Sequence, residues 1–137
     1  LKALSVDDEI FDEDFFAYFE DVDLVWRARL WGMRFEFVPD ALVIHDRKNP
    51  ASQPAPIQAI AFVNRWLCAI KNETEFSFAQ TLTIGRDLLR LAWLVTKNKS
   101  YWAALPRLIR LLPKTLRKRR AIQKKRAVDC ATARSFI

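Results

Sequence analysis

The charged residues of this chain are segregated along the sequence, and this segregation constrains the fold more than any other feature. Residues 1–49 contain twelve acidic and six basic residues, whereas residues 50–137 contain four acidic and seventeen basic residues. Ten lysines and arginines fall between Arg107 and Arg126, with no acid among them. We predict that the two halves meet different partners: a cation or a proton-transfer site for the acidic half, and an anionic surface for the basic half.

An aromatic and acidic run lies at the centre of the acidic half. Residues 15–19 bring four aromatic side chains directly before the carboxylates of Glu20, Asp21 and Asp23. An apolar wall beside clustered acids is a setting in which a protein tunes a carboxylate for proton transfer. Such a carboxylate can take a proton from an acceptor hydroxyl while that oxygen attacks an electrophile. The alternative is that these acids are only charges at a helix N-terminus, with Asp23 paired to Arg27 four residues later.

The residue pattern up to position 45 predicts one helix and two short strands. Residues 20–31 have apolar side chains at helical spacing, and Gly32 is expected to cap that helix. Residues 34–38 alternate polar and apolar side chains, and residues 42–45 are a short run with β-branched members, so both are predicted strands. The expected fold class at this end of the chain is therefore α/β.

The remainder of the chain is predicted to be a mainly α-helical, amphipathic tail. A proline-rich linker, residues 50–56, separates it from the first part. We predict helices over residues 57–71 and 76–97, and a third helix interrupted at Pro106 and Pro113. The longest uncharged run of the chain contains three prolines, so we expect no membrane-spanning helix.

The two C-terminal helices are predicted to have one apolar face each. In residues 76–97, Asp87 is predicted to lie on the solvent-exposed face, and Leu82 and Leu89 are predicted to lie on the buried face. In residues 105–126, leucines and isoleucines fall on one side and arginines and lysines on the other. That pattern is typical of a helix in a membrane interface, and equally of a helix packed on the domain with a solvated basic face. A nucleic-acid partner is disfavoured by the acidic half and by the hydrophobic helices.

Two ordered motifs resemble family 2 glycosyltransferases, most closely the rhamnosyltransferase-like group that builds bacterial surface polysaccharides. Residues 10–27 and 38–45, with Gly32 between them, resemble the C-terminal part of the catalytic domain. Residues 57–126 resemble the helical tail of these enzymes, in which an Asn-Arg pair, here at positions 64 and 65, precedes a hydrophobic helix. The resemblance is specific in the first motif and looser in the second.

This resemblance implies a GT-A fold, a nucleotide-binding α/β sandwich that transfers a sugar with inversion. The donor is a nucleotide-sugar, and the acceptor is a hydroxyl of a glycan or of a lipid-linked glycan. Asp21 matches the catalytic base of the family, with Glu20 as its neighbour. His45 matches a ligand of a divalent metal, Mg²⁺ or Mn²⁺, whose other ligands lie outside this chain. The residues expected to shape the site are Asp23, Arg27 and Trp26.

The family's donor-binding half and its metal-binding Asp-x-Asp motif would lie upstream of this chain, so we expect the chain alone to lack transfer activity. Asp12 and Asp14 form an Asp-x-Asp pattern in the wrong place, and we interpret both as solvated loop charges. The predicted organisation is a catalytic-domain end (1–49), a linker (50–56), a membrane-associating helical tail (57–128) and a flexible C-terminus (129–137).

The expected location is cytoplasmic, on the inner face of the plasma membrane. Two lone cysteines make no disulfide framework, which favours a reducing compartment. The basic tract at 105–126 would attach the protein to anionic lipid. The rival hypothesis is a non-enzymatic basic helical module that binds an anionic membrane or nucleic acid.

Overall fold

The computed structural model describes residues 2–44, 53–73, 78–129 and 132. Within them the chain forms two short 3-10 helices, Lys2–Leu4 and Glu13–Phe15, and four α-helices: α1 (Glu20–Leu30), α2 (Ala55–Asn72), α3 (Phe78–Lys97) and α4 (Lys99–Lys124). None of these helices is long and apolar enough to cross a membrane, as the sequence predicts.

The prediction of an α/β fold is wrong, because the described residues form no strand or sheet. The first predicted strand, 34–38, and the described part of the second, 42–44, have no regular structure. Phe37 is 88% exposed and Ile44 is 101% exposed. A strand is stabilised by pairing with a neighbouring strand, and the described residues offer none to this segment. The predicted metal ligand His45 lies outside the described residues.

The end of α1 is closed by Gly32, which confirms the predicted cap. Gly32 has a φ of 78°, in the left-handed region that glycine adopts without strain. Its N–H donates to the Arg29 carbonyl at 2.9 Å, and the Met33 N–H donates to the Ala28 carbonyl at 3.0 Å. These are the two hydrogen bonds of a Schellman motif, which satisfies the last carbonyls of the helix.

The core of the protein is built around α2, which packs along α4 and also contacts α1. Buried apolar side chains from α2, α4 and the loop before α1 form one cluster: Phe15, Ala59, Val63, Leu67, Cys68, Tyr101 and Ala104. Burial, and next the nearby Asp23 carboxylate, raise the pKa of the Cys68 thiol to about 12. Cys68 is therefore a protonated, buried residue that packs as a small apolar side chain.

The helix α4 continues through both of its prolines, which corrects the predicted interruption. A proline in a helix removes the N–H that would donate to the carbonyl four residues earlier. The carbonyls freed by Pro106 and Pro113 are those of Trp102 and Ile109. Both residues are exposed, so the freed carbonyls lie on the outer side of the helix, where water can satisfy them.

Some residues of α3 and α4 face the opposite way from the prediction. On α3, Leu82 and Leu89 are 60% and 75% exposed, whereas Asp87 is 4% exposed. Asp87 is turned inward because it pairs with Arg65 of α2 at 2.6 Å. On α4, Lys118 of the predicted solvated face is buried. Polar partners on neighbouring segments therefore set which face of each helix is turned inward.

Candidate functional site

Two carboxylates and two ammonium groups form a buried ionic network between the N-terminal loop and helices α1, α2 and α4. The Nζ atom of Lys71 lies 2.5 Å from Asp12 and 2.8 Å from Asp23. The Nζ atom of Lys118 lies 2.7 Å from the other oxygen of Asp12. All four side chains are buried. The interpretation of Asp12 as a solvated charge is therefore wrong, because this residue joins α2 to α4.

The ammonium group of Lys118 lies among the carboxylates of the acidic loop, which we define as residues 5–14. Besides Asp12, it contacts Glu9 at 2.7 Å and Asp14 at 3.2 Å. Burial lowers the pKa of Lys118, but hydrogen bonds from its ammonium to Asp12, Glu9 and Asp14 outweigh burial, so the pKa lies above its ordinary value. Asp14 is therefore also an ion-pair partner rather than a solvated charge.

The same three carboxylates, Glu9, Asp12 and Asp14, are close enough to one another to hold a metal ion. They do not fit a divalent cation, because the Lys118 ammonium already lies among them. Burial alone would raise the pKa of Asp12, yet the charges of Lys71 and Lys118 outweigh it and hold that pKa below its ordinary value. The cluster is thus a carboxylate network neutralised by lysines.

The carboxylate of Asp23 anchors α1 to α2. The Asn72 side chain donates to Asp23 at 2.6 Å, and Arg27 lies 4.0 Å from the other oxygen, as the predicted i,i+4 pair. Arg27 also donates to the Ile10 carbonyl at 2.5 Å. Burial lowers the pKa of Arg27, and the charge of Asp23 opposes that shift. Asp23 and Arg27 are thus fully buried, and their contacts join α1 to Ile10 in the N-terminal loop and to Asn72 of α2.

The turn before α1 is held by Asn64 of α2. Its Nδ2 group donates to the carbonyls of Phe15 at 2.6 Å, Ala17 at 2.7 Å and Tyr18 at 3.0 Å. Its Oδ1 atom accepts a hydrogen bond from Arg107 of α4 at 3.0 Å. Asn64 is completely buried, so these bonds satisfy an amide that would otherwise be costly to bury.

The turn that Asn64 holds has a strained backbone. Phe16, Tyr18 and Phe19 have φ values of 59°, 66° and 73°. Residues with a side chain rarely adopt positive φ, and each instance costs roughly 1–3 kcal/mol. Such strain persists only where the surroundings enforce it, and here the turn delivers the chain directly into Glu20, the first residue of α1.

The exposed carboxylate in the first turn of α1 is that of Asp21. Its Oδ1 atom accepts a hydrogen bond from the Val22 N–H at 2.8 Å. The neighbouring Glu20 is half-buried, and its Oε2 atom is buried without a hydrogen-bond partner among the described residues. A solute can therefore reach the Asp21 carboxylate, whereas the Asp23 carboxylate, two residues later, is buried in the core.

An apolar cavity of about 470 Å³ lies beside the start of α1. Phe19, Val22 and Trp26 form its α1 side, and residues of α2 and α3 complete it. Trp66 also lines the cavity, and its indole N–H is buried without a partner among the described residues. Small-molecule sites are commonly apolar cavities of this size with a few polar groups. The cavity thus provides a surface for a solute next to the first turn of α1, where Phe19 and Val22 line it and Asp21 does not.

The predicted site residues divide into two groups. Trp26 lines the cavity, and Glu20 and Asp21 lie in the first turn of α1 between the lining residues Phe19 and Val22. Asp23 and Arg27 belong to the buried network. Sequence reasoning missed Lys71 and Lys118. The available signal was that Lys71 is one of only two charged residues, with Arg65, in a helix that is otherwise mainly apolar.

Most of the basic residues of the C-terminal tract have partners inside the protein. Four of them contact the acidic loop: Arg107, Lys114, Arg117 and Lys118. Arg119 donates hydrogen bonds to the carbonyls of Ile70 and Glu73. Lys125 lies over the ring of Trp31. The acidic and basic halves therefore bind each other, which the sequence prediction of separate partners did not foresee.

Searches against protein-family models, curated proteins and solved structures found no match for this chain.

Proposed function

We propose that this chain forms the acceptor-side part of an inverting glycosyltransferase, with Asp21 as its general base. The proposal takes its reaction class from the resemblance of residues 10–45 to family 2 glycosyltransferases. The observation that carries it is the contrast among the carboxylates of the motif. Asp12 and Asp23 are buried in ion pairs, whereas Asp21 is exposed at the end of a strained turn beside an apolar cavity.

The role of Asp21 in this reaction is to accept one proton. The acceptor hydroxyl oxygen bonds to the anomeric carbon of the donor sugar while the bond from that carbon to the nucleotide diphosphate breaks. The hydroxyl proton passes to the Asp21 carboxylate, and the leaving diphosphate keeps the electron pair of the broken bond. A base positioned in this way contributes roughly 10²–10⁴-fold to the rate.

The residues around Asp21 supply positioning in this proposal. Asn64 fixes the turn that precedes α1, and the buried Asp23 fixes the helix itself. Trp26 and Phe19 offer aromatic surface in the cavity for the apolar face of an acceptor sugar. Preorganised support of this kind matters because a displacement of about 1 Å can cost a hundredfold in rate.

None of the described residues is proposed as a ligand of the metal that the resemblance implies. Glu9, Asp12 and Asp14 do not fit it, because Lys118 already neutralises them. His45, which lies outside the described residues, stays the predicted ligand of that metal.

The test uses the longest natural protein that contains this sequence, assayed with a panel of nucleotide-sugars and glycan acceptors. Asp21→Asn is expected to lower kcat by at least a hundredfold and to leave nucleotide-sugar binding unchanged, since the base does not contact the donor nucleotide. Asp8→Asn, at an exposed carboxylate outside residues 10–45, is the matched control and should keep full activity. Normal turnover in Asp21→Asn would remove Asp21 as the base.

A further inference from the structure

We infer that the outer face of α3 and α4 is the surface by which this protein docks on an anionic lipid bilayer. The outer face is defined by six exposed side chains: Leu82, Leu89 and Trp93 of α3 and Trp102, Ile109 and Leu116 of α4. This inference is independent of the proposed reaction, because none of these six residues belongs to residues 10–45 or lines the cavity.

The apolar residues of α4 form one line along the helix. Trp102, Ile109 and Leu116 are spaced seven residues apart, and side chains at that spacing lie on one side of a helix with a drift of only about 20° per step. They are 60%, 72% and 41% exposed. The opposite side of the same helix carries the buried Ala104 and Lys118.

The helix α3 repeats this arrangement. Leu82 and Leu89 are also seven residues apart, and Trp93 follows after one further turn; the three are 60%, 75% and 59% exposed. The other side of α3 is turned inward by the Asp87–Arg65 pair. Both helices also turn apolar side chains into the core, among them Leu94 of α3 and Tyr101 of α4. Each helix nevertheless leaves a line of large apolar side chains exposed on its outer side, and exposed apolar patches mark interaction surfaces.

The charges around the outer face are positive only. Between residues 78 and 124 the sequence contains a single acid, Asp87, which is buried and paired. Exposed bases flank the apolar lines: Arg86, Arg90 and Lys97 on α3, and Arg110, Arg120 and Lys124 on α4. An apolar centre with a basic rim matches the acyl boundary and the anionic headgroups of a bilayer. A second copy of the chain would bring the same positive rim, so self-association of this face is opposed by charge.

Two further features fit the depth of a membrane interface. Trp93 and Trp102 lie at the ends of α3 and α4 that adjoin each other, and tryptophan favours the headgroup level of a bilayer. The carbonyls of Trp102 and Ile109 lose their helical hydrogen bonds to Pro106 and Pro113. They need water or headgroup donors, which are present at the interface and absent from the hydrocarbon core. The expected contact is therefore shallow.

A groove at the C-terminal end of the outer face supplies cationic groups for a headgroup phosphate. Its lining residues are Leu116, Arg119, Arg120, Gln123 and Arg126. Arg120 and Arg126 are exposed. Arginine suits a phosphate because its planar fork offers two parallel donors.

The experiment is vesicle flotation of the whole chain with phosphatidylcholine vesicles and with vesicles that contain phosphatidylglycerol at one part in three. The wild-type protein should float with the anionic vesicles only, and its tryptophan emission should shift to the blue. The double variant Leu89→Glu/Ile109→Glu should reduce the vesicle-bound fraction at least tenfold, because it places two acids in the apolar centre. Removal of one base, as in Arg120→Gln, should weaken binding about fivefold.

The matched control is Leu42→Glu/Val43→Glu, which makes similar changes at residues that are 90% and 85% exposed outside the outer face. It should bind vesicles like the wild type. All substituted residues are solvent-exposed, so equal helical circular dichroism is expected and is checked first. Three outcomes would overturn the inference: no binding of the wild type to anionic vesicles, an equal loss in the control, or a wild-type dimer that the outer-face variant dissociates without any lipid binding.

Discussion

The ammonium group of Lys118 lies 2.7 Å from the carboxylate of Asp12, which is 106 residues earlier in the chain. This contact shows what the segregated charges do: the acidic N-terminal loop folds onto the basic helix α4, and each half neutralises part of the other. Lys71 of α2 joins the same carboxylate from another side at 2.5 Å. The acidic motif and the helical tail are thus joined through one buried ionic network.

Lys118 is expected to be essential for stability. Removing one partner of a buried ion pair leaves uncompensated charge, which costs about 3–5 kcal/mol. Lys118→Met should lower the free energy of unfolding by that amount in urea denaturation. The matched control is Lys124→Met at an exposed position, where a change within about 0.5 kcal/mol is expected. Equal effects of the two substitutions would show that the buried network does not stabilise the fold.

The pH dependence of stability follows from the two shifted groups of this network. The pKa of Asp12 is lower in the folded state than in the unfolded chain, so its contribution is present above about pH 4 and is lost as the pH falls. The pKa of Lys118 is raised in the folded state, so its contribution is complete below about pH 10 and is lost as the pH rises further. Urea midpoints measured from pH 3 to pH 11 should fall at both ends.

Substitutions of Asp12 and Lys118 test separately the acid limb and the alkaline limb of the plot of urea midpoint against pH. Asp12→Asn should flatten the acid limb, and Lys118→Met should flatten the alkaline limb. An unchanged profile in both variants would assign the pH dependence to other groups.

Asn64 is expected to control the turn that presents Asp21. Asn64→Asp keeps the shape of the side chain but replaces the donating amide by a carboxylate that only accepts. The carbonyls of Phe15, Ala17 and Tyr18 then lose their common donor, and the expected cost is about 3 kcal/mol or more. Thermal unfolding measures this cost. Wild-type stability in Asn64→Asp would mean that the strained turn is held by other contacts.

The two glycines should respond in opposite directions to alanine. Gly32 has a positive φ, and an added Cβ would lie 3.4 Å from the Cβ of Ala127, so Gly32→Ala should destabilise by about 1 kcal/mol. Gly85 lies inside α3 with no atom within 4 Å of an added Cβ, so Gly85→Ala should stabilise by roughly 0.5–1 kcal/mol. A shift of the same sign in both variants would contradict the assigned backbone conformations.

The helices could be predicted from the sequence because their signals are local. Apolar spacing and the position of Gly32 defined α1 to within one residue of its observed end, Leu30. The extended segment 34–38 could not be predicted correctly in the same way, because a strand needs a partner that local alternation does not reveal.

The orientation of the helices and most of the site depend on contacts between distant residues. Hydrophobic periodicity showed that α3 has an apolar face, but the direction of that face depends on the Asp87–Arg65 pair between two helices. The resemblance assigned Asp21 as the base and Asp23 as a site-shaping residue, and the spacing predicted the pair of Asp23 with Arg27. The contact of Asp23 with Lys71, 48 positions later in the numbering, could not be predicted, because it joins two helices.

The most direct test of this account compares Asp21→Asn with Asp23→Asn, measuring both melting temperature and sugar transfer in the longest natural protein that contains this sequence. The account predicts that Asp21→Asn keeps the wild-type melting temperature and loses at least a hundredfold in kcat. It predicts that Asp23→Asn loses about 3–5 kcal/mol of stability, because Lys71 is left buried beside a neutral amide. Full transfer activity in Asp21→Asn, together with wild-type stability in Asp23→Asn, would contradict the division between an accessible base and a buried anchor.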